Sequence, residues 1–354
     1  MEWLAGNRIR GTTAERPEYG LPSGSVGGWV EVARTTLGSN SSTFTVSSIP
    51  DKRYYFVLIN PSFTNAGSGN TFRLGSGGSE DSGSNYAYRR STNGGSDVTG
   101  INQSSGIIPI GGYSTEHELL TMHIANKSDK EKLCIHNRCY SIAGAGNAPL
   151  RIEQASKWTN TSNAIDMMKA TLNSSGNFAS GTEIVVLGYD PADSHTTNFW
   201  QELASVTASG SSTNLSSGTI TAKKYLWIQA QYSKSSNGTL TTTFNNDTGS
   251  NYSFRKSTNG GSDSTFTSQA SIAEGYSQSQ IAFLNMFIIN NTSNEKLVMA
   301  HTVLADGTGA GTAPTRIEYV GKWANTSNQI TEIDLDSSGG NFDNHSMIKV
   351  WGSD

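Results

Sequence analysis

The 354-residue chain sets 25 Lys and Arg against 29 Asp and Glu, a formal net charge of −4, and only 15% of its residues are charged, where an average soluble protein has roughly 25%. That balance excludes nucleic-acid binding driven by phosphate neutralisation, which needs a clustered excess of Lys and Arg. No segment approaches the roughly 20 apolar residues of a membrane span, and the two cysteines, Cys134 and Cys139, are too few for a disulfide framework.

At the N-terminus, MEWLAGNRIRGTTAERPEYG supplies neither the basic start nor the apolar run of about 7–15 residues that a secretory signal needs. With the cysteine count, this points to folding in a reducing cytoplasm. Residues 1–27 are broken by Gly and Pro and too short to fold alone. They form an arm of the kind that orders on a partner, with Trp3, Leu4, Arg8, Arg10 and Arg16 as its docking residues.

Comparison of the chain with itself sets the organisation of the rest. NYAYRRSTNGGSD at 85–97 recurs as NYSFRKSTNGGSD at 251–263 with ten of thirteen positions identical. GAGNAPLRIEQASKWTNTSN at 144–163 recurs as GAGTAPTRIEYVGKWANTSN at 309–328 with fourteen of twenty identical. Weaker echoes frame these in unbroken order: Trp29 and Glu31 with Trp200 and Glu202, Lys52 with Lys223, and Glu131 with Glu295. Residues 28–190 and 198–354 therefore read as two related domains joined by a polar, Pro-containing linker at 191–197. At about 160 residues, each is a complete domain with its own core rather than a solenoid unit.

Within each copy, short apolar or alternating runs recur between Gly, Ser and Asn clusters. In the first they are WVEVA, STFTV, RYYFVLI, TFRL, YAYRR, ELLTMHI, KLCIH, RIEQASKW and EIVVLG, a strand-and-turn rhythm. No window carries a sustained helical stripe, although NFWQEL at 198–203 has room for one helical turn. The expected fold is all-β: two tandem β-sandwich, jelly-roll-like domains behind an extended arm. Apolar positions shared by the copies, Tyr86 with Tyr252, Met122 with Met286, Ile124 with Ile288 and Leu133 with Leu297, are expected to face inward.

Few residues point to chemistry. CIHNRC at 134–139 could suggest a metal loop, but the second copy has Val298 and Val303 in place of the cysteines, so both read as buried thiols. The histidines His117, His123, His136, His195, His301 and His345 show no paired metal-ligand spacing. His123 aligns with Phe287, an aromatic packing position. Glu153 and Glu318, with Asp97 and Asp263, could serve as carboxylate pairs for glycoside hydrolysis, but Arg151 and Glu153 alternate around Ile152 on one exposed strand face, where ion pairing explains them. The same holds for Arg316 and Glu318. GAGNAP and GTGAGTAP lack the Lys of a phosphate-binding loop and read as turns. Trp158 and Trp323 could offer a platform for a sugar ring, flanked by amides and hydroxyls, but packing in the core or at a sheet edge explains them more simply. The expectation is a non-enzymatic protein without catalytic residue, metal or cofactor.

One resemblance is carried by NRIRGTTAERP near the start, NYSFRKSTNGGSD, EKLVMAHTV, APTRIEYVGKWANTSNQITEI, and the closing EIVVLG and IKVWG. This pattern resembles structural proteins of marine tailed viruses built from β-sandwich modules, and it spans nearly the whole chain. The resemblance implies a place on the virion surface, as head decoration, vertex fibre, spike or tail component, assembled in the host cytoplasm. It also implies capsid or tail proteins of the same virus as partners, and a homo-oligomer, for which a trimer is the usual arrangement. The alternatives are a carbohydrate-binding adhesin for a host surface glycan and a double jelly-roll major capsid protein. Neither nucleic acid nor membrane is expected as a partner.

Overall fold

A computed structural model describes residues 28–354 apart from 66–70, 107–116, 174–175, 191–197, 278–280 and 308. The arm residues Trp3, Leu4, Arg8, Arg10 and Arg16, the linker and His195 lie outside the described residues. The chain divides into two compact units. Unit 1 comprises residues up to Tyr140 together with Ile152–Phe199, and unit 2 comprises Ser141–Arg151 together with Trp200–Asp354. Sequence repeat and compact unit therefore part company over Ser141–Arg151, which is first-repeat sequence in the second unit.

Every described element is a strand, as the rhythm of apolar runs and turns requires. Unit 1 holds β1 (Val30–Thr36), β2 (Thr43–Val46), β3 (Tyr54–Asn60), β4 (Thr71–Ser76), β5 (Ser79–Glu80) and β6 (Tyr86–Thr92). It continues with β7 (Val98–Gln103), β8 (Glu118–Ala125), β9 (Lys132–Tyr140), β10 (Leu150–Trp158), β11 (Met167–Thr171) and β12 (Glu183–Tyr189). They form an eight-stranded sheet in the order β1-β12-β3-β8-β9-β10-β6-β7 and a four-stranded sheet, β2-β11-β4-β5. The sequence runs miss β5, β7 and β11, because SE and VTGINQ are polar and MMKAT is short.

Unit 2 repeats the layout with β13 (Gln201–Thr207), β14 (Asn214–Ser216), β15 (Tyr225–Tyr232), β16 (Gly238–Phe244), β17 (Tyr252–Thr258) and β18 (Ser264–Gln269). Then come β19 (Ile272–Ser277), β20 (Ala282–Ile289), β21 (Lys296–Leu304), β22 (Thr315–Trp323), β23 (Ile333–Ser337) and β24 (Met347–Ser353). Its sheets run β13-β24-β15-β20-β21-β22-β17-β18 and β14-β23-β16-β19. NFWQEL makes no helical turn, since Gln201 opens β13 on the edge of the large sheet. Even the irregularities recur: β1 bulges between Glu31 and Ala33, and β13 between Glu202 and Ala204. The edge pairings β6 with β7 and β17 with β18 shift at Tyr86/Tyr88 and Tyr252/Phe254.

Alternation along each central strand decides which side chains fill the sandwich. In unit 1, Val57 and Ile59, Leu120 and Met122, and Ile184 and Val186 of the large sheet meet Phe44, Leu74, Met168 and Ala170 of the small one. Tyr86, Met122 and Ile124 lie in this core, and Tyr252, Met286 and Ile288 in that of unit 2. Leu133 does not. It is 58% exposed, because Lys132, Cys134 and His136 take the inward positions of β9 and turn Leu133 and Ile135 outward.

Both cores are pinned by one polar node. The Trp158 indole N–H donates to Asp81 Oδ2 at 2.7 Å, and Trp323 donates to Asp247 Oδ2 at 2.6 Å. The same carboxylates accept from the backbone N–H of Gly83 and Gly249 and from the amides of Asn85 and Asn251. Beside them the Tyr86 and Tyr252 hydroxyls donate to the carbonyls of Asp81 and Asp247 at 3.1 and 3.0 Å. Hydrogen bonds to an ionised partner carry about 1.5–3 kcal/mol each. Asp81→Ala and Asp247→Ala are each expected to destabilise their own unit by about that amount. Guanidinium unfolding followed by tryptophan fluorescence checks this, and combining Asp81→Ala with Trp158→Phe should cost less than the two single losses together.

Candidate functional site

Several titratable groups of the kind that carry chemistry are built into the cores. His136 Nε2 lies 2.6 Å from Ser156 Oγ across β9 and β10, the spacing of a hydrogen-bonded pair. Yet the ring is fully buried, and desolvation pushes its pKa down to about 3. It is a neutral core imidazole with no route to a substrate. Cys134 and Cys139 are buried and not joined to each other, and burial raises the Cys134 thiol to about 12. In unit 2 Glu274 accepts from Thr242 Oγ1 at 2.7 Å and from the Tyr319 hydroxyl at 3.1 Å. Its desolvation outweighs these bonds and raises its pKa to about 7.

Trp158 and Trp323 are each only 1% exposed. They are core side chains held by Asp81 and Asp247, so of the two readings the sequence offered it is packing that applies, and neither ring presents a face to a sugar. Arg151 is likewise not on an exposed face. Its guanidinium, 6% exposed, reaches Asp263 Oδ1 at 2.6 Å and Glu318 Oε2 at 3.4 Å.

What unit 1 does present is an apolar hollow on the outer face of its large sheet. Tyr189, Tyr54, Ala125 and Leu133 share one outward row, and Phe56, His123 and Ile135 the next. Trp29 stands over them, 6.0 Å from Phe56 and 5.8 Å from Tyr189 by ring centroids. His123 stacks on Phe56 at 4.4 Å and 3° while its outer edge stays exposed, and its apolar neighbours lower its pKa, so the ring packs as the aromatic its alignment with Phe287 suggested. The cavity of about 320 Å³ is walled by Trp29, Tyr54, His123, Leu133, Ile135 and Tyr189, among others. Tyr54, Leu133 and Ile135 remain 40%, 58% and 62% exposed.

In unit 2 the equivalent face is filled by larger rings. Trp227 replaces Phe56 and Trp351 replaces Leu187; Trp227 lies 5.7 Å from both Trp200 and Phe287, and 5.0 Å from Trp351. The Trp227 indole donates to Asn285 Oδ1 at 2.7 Å. The matches of Trp29 with Trp200 and of His123 with Phe287 hinted at this face in the sequence. KLCIH, read as one buried run, concealed that both faces of β9 carry apolar residues.

Unit 2 also holds a polar cradle for Ser141–Arg151. Strand β17 pairs with β22 so that Tyr252 and Trp323 face the core while Ser253, Arg255 and Lys322 face out. Ser253 Oγ donates to Asn147 O at 2.8 Å, Arg255 Nε to Pro149 O at 3.0 Å, and the Ser268 N–H to Ala145 O at 2.7 Å. Glu295 accepts from the Gly144 N–H and from Ser141 Oγ, each at 2.7 Å, and from Lys322 Nζ at 3.0 Å. Lys322 also donates to Ile142 O. Every charge removed from water is matched, the condition under which such burial is tolerated.

No family model matches the chain, and no curated protein matches it. Among solved structures, domains LG4-5 of the mouse laminin alpha1 chain align over 91% of this chain and 90% of theirs, at 9% identity and a TM-score of 0.15. That likeness carries no argument about fold or function.

The two buried titrations act in opposite directions. Glu274 has its folded pKa near 7 against an ordinary 4.5, so its contribution to stability is complete below about 4.5 and lost as pH rises through 7. His136 has its folded pKa near 3 against 6.5, so its contribution is complete above about 6.5 and lost as pH falls toward 3. Calorimetry at pH 5 and pH 8 should show unit 2 weakened at the higher pH by on the order of 2–3 kcal/mol, and Glu274→Gln should remove that dependence.

Proposed function

We propose that this chain is a non-enzymatic structural subunit of a tailed-virus particle, a surface component whose sandwiches bind other particle proteins. The observation that carries the reading is the open apolar face of unit 1, where Tyr54, Leu133 and Ile135 stand 40–62% exposed around a hollow. Covering what remains exposed of Leu133 and Ile135 would contribute about 1–2 kcal/mol apiece, and contiguous apolar patches of this sort mark protein contacts. Unit 2 adds a second such patch at Ile281, Phe283 and Val303, exposed by 53%, 42% and 42%. The virus assignment rests on the motif resemblance, and a sparsely charged surface suits a protein that packs among neighbours. The adhesin reading loses its stacking residues with the burial of Trp158 and Trp323, and the hollow at Trp29 has few polar groups to orient a sugar.

Purified virus particles incubated with the full chain, and with a chain starting at Gly28, test the proposal by co-sedimentation. The full chain is expected to sediment with particles, and loss of binding on removing residues 1–27 would assign the attachment to the arm. Failure of both chains to bind particles, together with binding of the full chain to a glycan array, would overturn the structural reading.

A further inference from the structure

The cradle filled by Ser141–Arg151 in unit 2 has an open counterpart in unit 1, and the segment that fills it has an unused counterpart in unit 2. By the repeat, Asp263, Arg255, Glu295 and Lys322 correspond to Asp97, Arg89, Glu131 and Lys157, and Gly144–Arg151 corresponds to Gly309–Arg316.

The two sets differ in exposure as an occupied and a vacant site would. Lys322 and Glu295 pair at 3.0 Å with side chains 0% and 6% exposed, whereas Lys157 and Glu131 pair at 2.9 Å with 41% and 40% exposed. Asp263 is fully covered by its contact with Arg151, whereas Asp97 is 47% exposed and met only at 3.4 Å by Arg89, the residue whose counterpart Arg255 binds the carbonyl of Pro149. The apolar neighbours follow: Leu297 and Met299 are 0% and 6% exposed, Leu133 and Ile135 58% and 62%. On the segment itself Arg151 is 6% exposed and Arg316 58%. Pro149 is buried and Pro314 exposed. Asn102, the counterpart of Ser268, even keeps the same left-handed backbone, with φ of 52° against 51°.

We propose that Gly309–Arg316 of one copy docks on the outer face of β6 and β10 in unit 1 of a second copy. Arg316 would enter the site of Asp97, with Glu131 capping the Gly309 N–H. The inference rests on the structural-subunit reading and gives it a mechanism of self-assembly. The occupant is a second copy because a segment of this same sequence, with the same Arg, Pro and Gly positions, already fills the equivalent cradle. Such a contact is heterologous, so copies join head to tail and close into a ring or continue as a filament. Two positions weaken it relative to the built-in version. Ala87 lacks the hydroxyl of Ser253, and Asp306 replaces Ser141, setting a carboxylate against Glu131 where a hydroxyl donates to Glu295.

Sedimentation velocity over a concentration series, using the full chain, tests this. The native protein should form concentration-dependent oligomers, and Arg316→Glu or Asp97→Arg, both at exposed side chains that leave folding intact, should each reduce association at least tenfold. Because every copy carries both halves of the contact, the double variant should regain association. Asp306→Ser and Ala87→Ser should tighten it beyond the native chain. Oligomers indifferent to Arg316→Glu and Asp97→Arg would overturn this contact while leaving the structural-subunit reading intact. A chain monomeric at every concentration, with Asp306→Ser and Ala87→Ser monomeric as well, would overturn it too, and the particle co-sedimentation would then decide the broader reading separately.

Discussion

The bond from a buried indole to a half-buried carboxylate, made twice, is the constraint on which each unit depends. Trp158 and Trp323 end the strands β10 and β22, and they can satisfy their N–H groups only by meeting Asp81 and Asp247 in the turns before β6 and β17. That meeting fixes register: Trp158 lies opposite Tyr86 and Trp323 opposite Tyr252. Once register is fixed, the period of two assigns every other residue to a face. Ala87, Arg89 and Lys157, or Ser253, Arg255 and Lys322, are then turned outward together. A core interaction thus arranges the polar outer surface without touching it.

Much of this was legible in the sequence. The duplication, the all-β class and nine of the strands of the first copy follow from self-comparison and alternation, because a strand buried on one face or both writes its burial into its composition. The strands that escaped, β5, β7 and β11, are short or polar and are specified by their neighbours in the sheet rather than by their own residues. NFWQEL escaped for the related reason that a bulged edge strand need not alternate cleanly.

The surface features were less legible, for a physical reason. Leu133 and Leu297 are the same residue in the same motif, yet one is mostly exposed and the other buried, because exposure on an outer sheet face depends on what lies above it. Arg151 and Arg316 make the same point, since a strand pattern says that both point out but not that one meets Asp263. Trp158 and Trp323 left two readings open until their partners were located. An indole flanked by amides and hydroxyls looks like a sugar platform until the carboxylate that claims its N–H is located some 77 residues away.

The assignment of Ser141–Arg151 to unit 2 bears on how a duplicated gene can be divided. A cut at the linker, where the repeat suggests one, would separate the second sandwich from the strip of chain that covers Glu295, Lys322 and Asp263, leaving a buried acid and base without their third partner. The first half would carry that strip between β9 and β10 with its hydrogen-bonding groups deprived of the cradle they meet in unit 2. The two halves are therefore not interchangeable modules despite their likeness. A strip of first-repeat sequence belongs to the second unit, and a recombination that swapped or lost one copy would have to carry that strip with it.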